Sequence, residues 1–357
     1  MIPALFLFMR IVVDVMSGDH GPDVVLEGVQ LALQEIPSIT KLYLVGKEDK
    51  IASSIARLGM GDARLHVQHA NEVLTMEDDP LEGIRKKKDS SMLQAIELVR
   101  HGSADAVISS GNTGALVAAS MKLRRLEGVE RPVLAVRMPS RTGDFILADA
   151  GANTTCEPIH LAQFAIMGSI YARQVLNQKN PRVGVLSNGS EAFKGNALTM
   201  GAVKLCEHLD LNFKGNVEGF DLFNDGVDVA VTDGFTGNVV LKTSESLGYT
   251  MMHLIRSEVT QNPVRKLGAL LLRGAFHNIK RRMDPEIYGG AVLLGLRGNV
   301  IKAHGSSRPK AIMGAIRVAV ESVKHHVIET IIDEIRKSKA VLKSIPSPET
   351  DTQTAIA

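Results

Sequence analysis

The chain has 357 residues, 45% of them hydrophobic and 22% charged, with thirty-two glycines, a balance that suits a folded protein with a large core and excludes a collagen-like or disordered chain. A formal charge of +2, four tyrosines and no tryptophan provide neither the basic footprint nor the stacking platforms of a nucleic-acid binder. Two distant cysteines, Cys156 and Cys206, exclude a disulfide framework and a cysteine zinc site, and point to a reducing cytoplasm.

The opening MIPALFLFM is apolar but far shorter than the ~20 residues of a membrane span, and it lacks the flanks of a signal peptide. Residues 1–8 are therefore read as an upstream extension, with Met9 as the start. Runs rich in Val, Ile and Leu then recur as RIVVDV, KLYLVG, ADAVIS, VLAVRM, FILADA, RVGVLS, VDVAVT and NVIKAH, and predict strands. Segments between them, such as MLQAIELVRHG and HLAQFAIMGSIYARQVL, carry helical spacing. This alternation predicts an α/β fold with a mostly parallel central sheet and helices on both faces, in a single two-lobed catalytic domain over residues 9–338. Residues 339–357 include the polar, proline-punctuated SIPSPETDTQTAIA and are expected to be disordered.

In such sheets ligands gather beyond the carboxyl ends of strands. Loops rich in Gly, Asn and Thr follow several of the runs, where free helix amides suit an anion; turns and helix caps are the structural alternative. DVMSGDHGP supplies Asp14 and Asp19. IRKKKDSSM sets Lys88 before Ser90 and Ser91 at a helix start, a phosphate site or a solvated basic face. SSGNTGA supplies Asn112 and Thr113, and DAGANTT supplies Asn153. In LSNGSEAFKGNAL, Lys194 can hold a phosphate oxygen or a developing oxyanion beside Asn188, with Glu191 as its structural partner instead. DVAVTDGFTGNVVLKTSES places Asp233, Gly234 and Asn238 in one loop, with Lys242 about a turn later. GNVIKAHGSSRPKAIM ends a strand with His304, Gly305 and Ser306, where the histidine either titrates near neutral pH or caps and packs. The segment 262–285 interleaves Arg265, Lys266 and Arg273 with Leu270 and Leu271, which suits a membrane surface, an acidic protein or a second copy of the chain. His66 and His69 point to opposite faces of a strand and share no metal, and no nucleotide-binding glycine fingerprint occurs.

Taken together, DVMSGDHGP, RKKKDSS, SSGNTGA, DAGAN, SNGSEAFKGN, DGFTGNVVLK and GGAVLLGLRGNVIKAHGSS resemble the bacterial phosphate acyltransferase family, in order and spacing from about Met9 to Lys337. Ser17 departs from the glycine common there. The resemblance implies a fold similar to the isocitrate and isopropylmalate dehydrogenases, a homodimer, and transfer of an acyl group from acyl carrier protein to orthophosphate for phospholipid synthesis. It implies no metal or organic cofactor. It also implies work at the inner face of the cell membrane, beside a membrane glycerol-3-phosphate acyltransferase. Because phosphate is already an anionic nucleophile, the chemistry asks for anion binding at Lys194, Asn188 and the loops of Asn112 and Asn238, with His304 as proton donor to the leaving thiol. Two other readings stay open: an NAD(P)-dependent hydroxy-acid dehydrogenase of the same fold, and a non-enzymatic scaffold binding a carrier protein or membrane.

Overall fold

The computed structural model describes residues 8–283 and 289–344, so the expectations for residues 1–7, 284–285 and 345–357 lie outside the described residues. Its strands are β1 (Met9–Asp14), β2 (Ile39–Gly46), β3 (Leu65–His69), β4 (Ala106–Ser109), β5 (Val133–Pro139), β6 (Asp144–Ala148), β7 (Arg182–Leu186), β8 (Asn212–Val217), β9 (Val229–Val231), β10 (Ala291–Leu294) and β11 (Asn299–Lys302). The helices are α1 (Pro22–Glu35), α2 (Glu48–Leu58), α3 (Pro80–Lys86), α4 (Ser91–Arg100), α5 (Thr113–Ser120), α6 (Pro158–Val175), α7 (Ala197–Cys206), α8 (Gly219–Phe223), α9 (Gly234–Val259), α10 (Pro263–Leu271), α11 (Arg273–Met283), α12 (Pro309–Lys324) and α13 (Val327–Ser344).

All the strands join one sheet in the order β3-β2-β1-β4-β11-β10-β5-β6-β9-β7-β8. It runs unbroken through what the sequence reading divides into two lobes. The pairings from β3 to β11 are parallel, as are those among β6, β9, β7 and β8. Between them β10 is antiparallel to both β11 and β5, and β5 is antiparallel to β6. The two parallel blocks therefore run in opposite directions, and their carboxyl ends face opposite edges of the sheet.

Burial explains why these runs are strands. Every residue of β4 and β9 is buried, as expected where helices cover both faces. Along β1, Ile11 and Val13 enter one core layer while Val12 enters the other, the period of two that a strand imposes. Helix α6 is buried along His160–Ala172, so it carries no polar face. Helix α13 continues past residue 338, where a disordered tail was expected to begin, because Leu342 extends the buried series Val327, Ile331 and Ile335.

Helices α1 and α12 pack side by side over the first block, and Gly28 makes the approach possible. A Cβ added there would lie 2.5 Å from Ile312 Cβ and 2.7 Å from the Pro309 carbonyl oxygen. Gly28→Leu should push the two helices apart and destabilise the fold by about 2–3 kcal/mol, read as a lower urea midpoint; an unchanged midpoint would show that α1 can slide without loss.

Candidate functional site

A cleft of about 930 Å³ lies over the antiparallel seam of the sheet. Leu134 and Val136–Pro139 of β5 and Ala291 of β10 line it on one side, and Asn238, Lys242 and Met251 of α9 on another. The expectation of loops meeting at one carboxyl edge is corrected by the opposed directions of the two blocks. Asn112, His304 and Gly305 come from the end of the first block, Gly151 and Asn238 from the opposite end of the second. Helix α9 bridges them: its 26 residues span about 39 Å.

The start of α9 is held by a buried carboxylate. Asp149 accepts hydrogen bonds from the amides of Leu134 (3.0 Å), Gly151 (3.1 Å), Ala152 (3.0 Å) and Asn153 (2.7 Å), and from Asn153 Nδ2 (2.8 Å). Burial raises its pKa against the pull of these donors. A Cβ on Gly237 would fall 1.8 Å from the Asp149 carbonyl oxygen, so only glycine lets α9 rest there. Asp233 caps the helix, its carboxylate accepting from Thr236 N at 2.9 Å, and Gly234 N donates to the Asn153 carbonyl at 2.7 Å. Asn153 gives its amide to Asp149 and to the Pro132 carbonyl. For Asp233, Gly234 and Asn153 the role seen is to build the loop, not to face the cleft.

At the other end, Asp19, Asn112, Thr113, Lys242, Lys302 and His304 face the cavity. Asn112 is the N-cap of α5: its Oδ1 accepts from Ala115 N at 3.1 Å and its Nδ2 donates to the Met76 carbonyl at 3.2 Å. Asp19 N donates to the Gly305 carbonyl at 2.9 Å, which joins the loops after β1 and β11. Lys242 Nζ lies 2.8 Å from Glu245 and 3.4 Å from His304 Nε2, and His304 Nδ1 lies 2.8 Å from Ser306 Oγ. Ser306 N donates to His304 Nδ1 at 3.3 Å, so the ring is held by Ser306 on one side and faces the Lys242 ammonium on the other. Desolvation in the cleft wall, reinforced by Lys242, holds the His304 pKa below its usual value. His304, the expected proton donor to the leaving thiol, lines the cavity beside Lys242. Burial, and then the charge of Lys242, depress Lys302 to about 8.

Several expected residues lie elsewhere. Asp14 is buried, accepting from Ser17 Oγ and from Ser109 Oγ at 2.8 Å, and it braces the first loop from below. Ser90 and Ser91 are buried at the start of α4, and Lys88 is exposed. Neither Lys194 nor Asn188 lines the cleft, because β7 lies beyond β6 and β9 from the seam, next to the edge strand β8. Lys194 Nζ instead sits 5.6 Å from the centre of the exposed Phe193 ring. Arg265 pairs with Glu258 at 2.8 Å on the exposed α9–α10 corner, away from the cavity. Leu270 and Leu271 stand 63% and 81% exposed. Sequence reasoning passed over Lys302, Arg137 and Arg141. The signal for Lys302 was available: a lysine inside the apolar run NVIKAH must leave a central strand along one face.

The family model described as "Fatty acid synthesis protein" matches residues 9–330. A phosphate acyltransferase of Akkermansia muciniphila is 46% identical over 336 residues, covering 92% of this chain and 96% of that protein. One from Bacillus licheniformis is 44% identical over 331 residues, covering 92% and 99%. Among solved structures, a phosphotransacetylase from Streptococcus pyogenes superposes with a TM-score of 0.61 at 16% identity, covering 89% of this chain and 94% of that one. A branched-chain phosphotransacylase from Enterococcus faecalis gives 0.55 at 15% identity, covering 89% and 100%. At such identities these structures show the shared fold alone.

The two aspartates at the start of α9 should differ sharply in weight. Asp149→Ala strands several buried donors and should destabilise by about 3 kcal/mol or more, whereas Asp233→Ala removes one cap and should cost about 1 kcal/mol. Urea denaturation of both variants checks this; equal losses would show that Asp149 is no more than another cap.

Proposed function

Because the chain belongs to the phosphate acyltransferase family and is an enzyme of that type, we propose that it moves a fatty acyl group from acyl carrier protein to orthophosphate, giving acyl phosphate for phospholipid synthesis. The observation that carries this reading is the composition of the cleft. One end gathers Lys242, Lys302 and the N-terminus of α5, which suit an anion, while Leu134, Val136, Met138, Leu241 and Met251 offer an apolar wall to an acyl chain.

Catalysis then rests on holding phosphate against the thioester and stabilising the tetrahedral oxyanion. His304 stands beside Lys242, 3.4 Å from its ammonium, at the anion-binding end. A thiol with a pKa of about 8.5 leaves adequately as thiolate, so no dedicated acid is needed. Attack is direct: burial pushes the thiols of both Cys156 and Cys206 up to about 12, which leaves neither as a ready nucleophile. Mass spectrometry of the protein with acyl carrier protein substrate should show acyl phosphate only when orthophosphate is present. Cys156→Ala and Cys206→Ala should each keep activity within about threefold. Acyl groups trapped on the protein and chased off by phosphate would overturn direct attack.

The exposed helices α9 to α11 serve assembly and location in this reading. No helix among the described residues is long and apolar enough to cross a membrane. We assign the exposed apolar residues of α9 to a homodimer. The tip carrying Leu270 and Leu271, flanked by Arg265, Lys266 and Arg273, contacts the inner face of the cell membrane, where a membrane glycerol-3-phosphate acyltransferase takes the product. Replacing Leu270 and Leu271 with Glu should abolish sedimentation with anionic vesicles while preserving soluble activity and dimer mass. Dissociation into monomers would instead make the tip a dimer element.

A further inference from the structure

Lys302 closes β11, beside Ser109 of β4 and Ala291 of β10. Val300 and Ile301 before it are buried in the middle of the sheet, and its side chain emerges along the face that floors the cleft. Two neighbouring cations of the cavity are paired with carboxylates. Lys242 has Glu245 at 2.8 Å, and Arg137 has Asp144. Among the described residues no carboxylate forms an ion pair with Lys302; its Nζ donates to the carbonyl of its own neighbour, Ala303. Asp19 from the loop before α1 and Glu245 from α9 attract it from further away, while burial and Lys242 oppose its charge, and His304 stands on the same loop. A desolvated ammonium without a counter-ion is unfavourable unless a ligand supplies the negative charge.

We propose that Lys302 is the cation that receives the phosphate nucleophile, with Lys242 on the other side of the anion. This rests on the acyl-transfer reading and names the residue that meets its inorganic substrate. An oxygen of hydrogen phosphate forms the new bond to the thioester carbonyl carbon, the carbon–sulfur bond breaks, and its electron pair leaves on sulfur. The sulfur ends as thiol with the proton that hydrogen phosphate brought, so acyl phosphate dianion and thiol balance the starting dianion and thioester. Lys302 keeps its own proton throughout. A neutral amine cannot hold the dianion, so kcat/KM for phosphate falls as pH rises through about 8. Bound phosphate favours the ammonium, so the same limb lies higher in kcat.

The test compares wild type, Lys302→Arg and Lys302→Met from about pH 6 to about pH 10, varying orthophosphate and acyl carrier protein substrate separately. Lys302→Met should raise KM for orthophosphate about tenfold or more and leave KM for the acyl substrate within about twofold. Lys302→Arg should retain activity and lose the alkaline limb, since a guanidinium does not titrate in that range. An unchanged phosphate KM in Lys302→Met, or a limb that stays in place in Lys302→Arg, overturns the assignment. If Lys302→Met does not fold, the pH profile of Lys302→Arg decides alone. If wild type makes no acyl phosphate, the enzymatic reading fails separately, and calorimetric titration of inorganic phosphate still judges Lys302: about tenfold weaker binding in a Lys302 variant supports it, and equal binding overturns it.

Discussion

The cleft depends on the burial of one carboxylate. Asp149 draws the amides of its own loop and the first turn of β5 onto two oxygen atoms, and its carbonyl meets the backbone of α9 at Gly237. Those contacts bring a loop, a strand and a helix from three separate parts of the chain to one point. Of α9, Gly234 and Gly237 are buried there, and Val240 and Leu241 pack against the core just beyond. The cationic end is built differently, from strand ends held in register by β4 and β11. Lys302 thus stands on the sheet and Lys242 on the helix that leans on it, and the apolar wall is shared between β5 and α9.

The order of elements was legible because apolar runs in a doubly covered sheet announce themselves. All eight of the quoted runs became strands. Strands β8 and β10 were not read: NFKGNV carries lysine and glycine at the sheet edge, and AVLL is too short for its period to show. With β10 missing, the reversal of direction at the seam could not be inferred. Every glycine-rich loop was therefore assigned to one cleft, although DAGAN and SNGSEAFKGN sit at the opposite edge from SSGNTGA.

The same geometry sorts the candidate residues. Small polar side chains in these loops mostly serve the backbone: Asn112, Asn153 and Asp233 satisfy amides or carbonyls that would otherwise be unpaired. Loop composition alone could not separate those that cap from those that face a ligand. Lys302 was hidden for the opposite reason, since a lysine closing a buried strand reads as a boundary in one dimension and becomes the floor of a cavity in three.

Helix α9 behaves as a cantilever. Its root is clamped at Asp149 and Gly237, while within a single copy of the chain Leu247, Tyr249 and Leu254 along its outer length are exposed. In a beam fixed at one end, displacement grows with distance from the clamp. Lys242, close to the root, stands over the polar end, whereas Met251 lies about two and a half turns further from the clamp. Within the acyl-transfer reading, the charged head of a ligand lies near the clamp and its apolar tail along the free length of the helix.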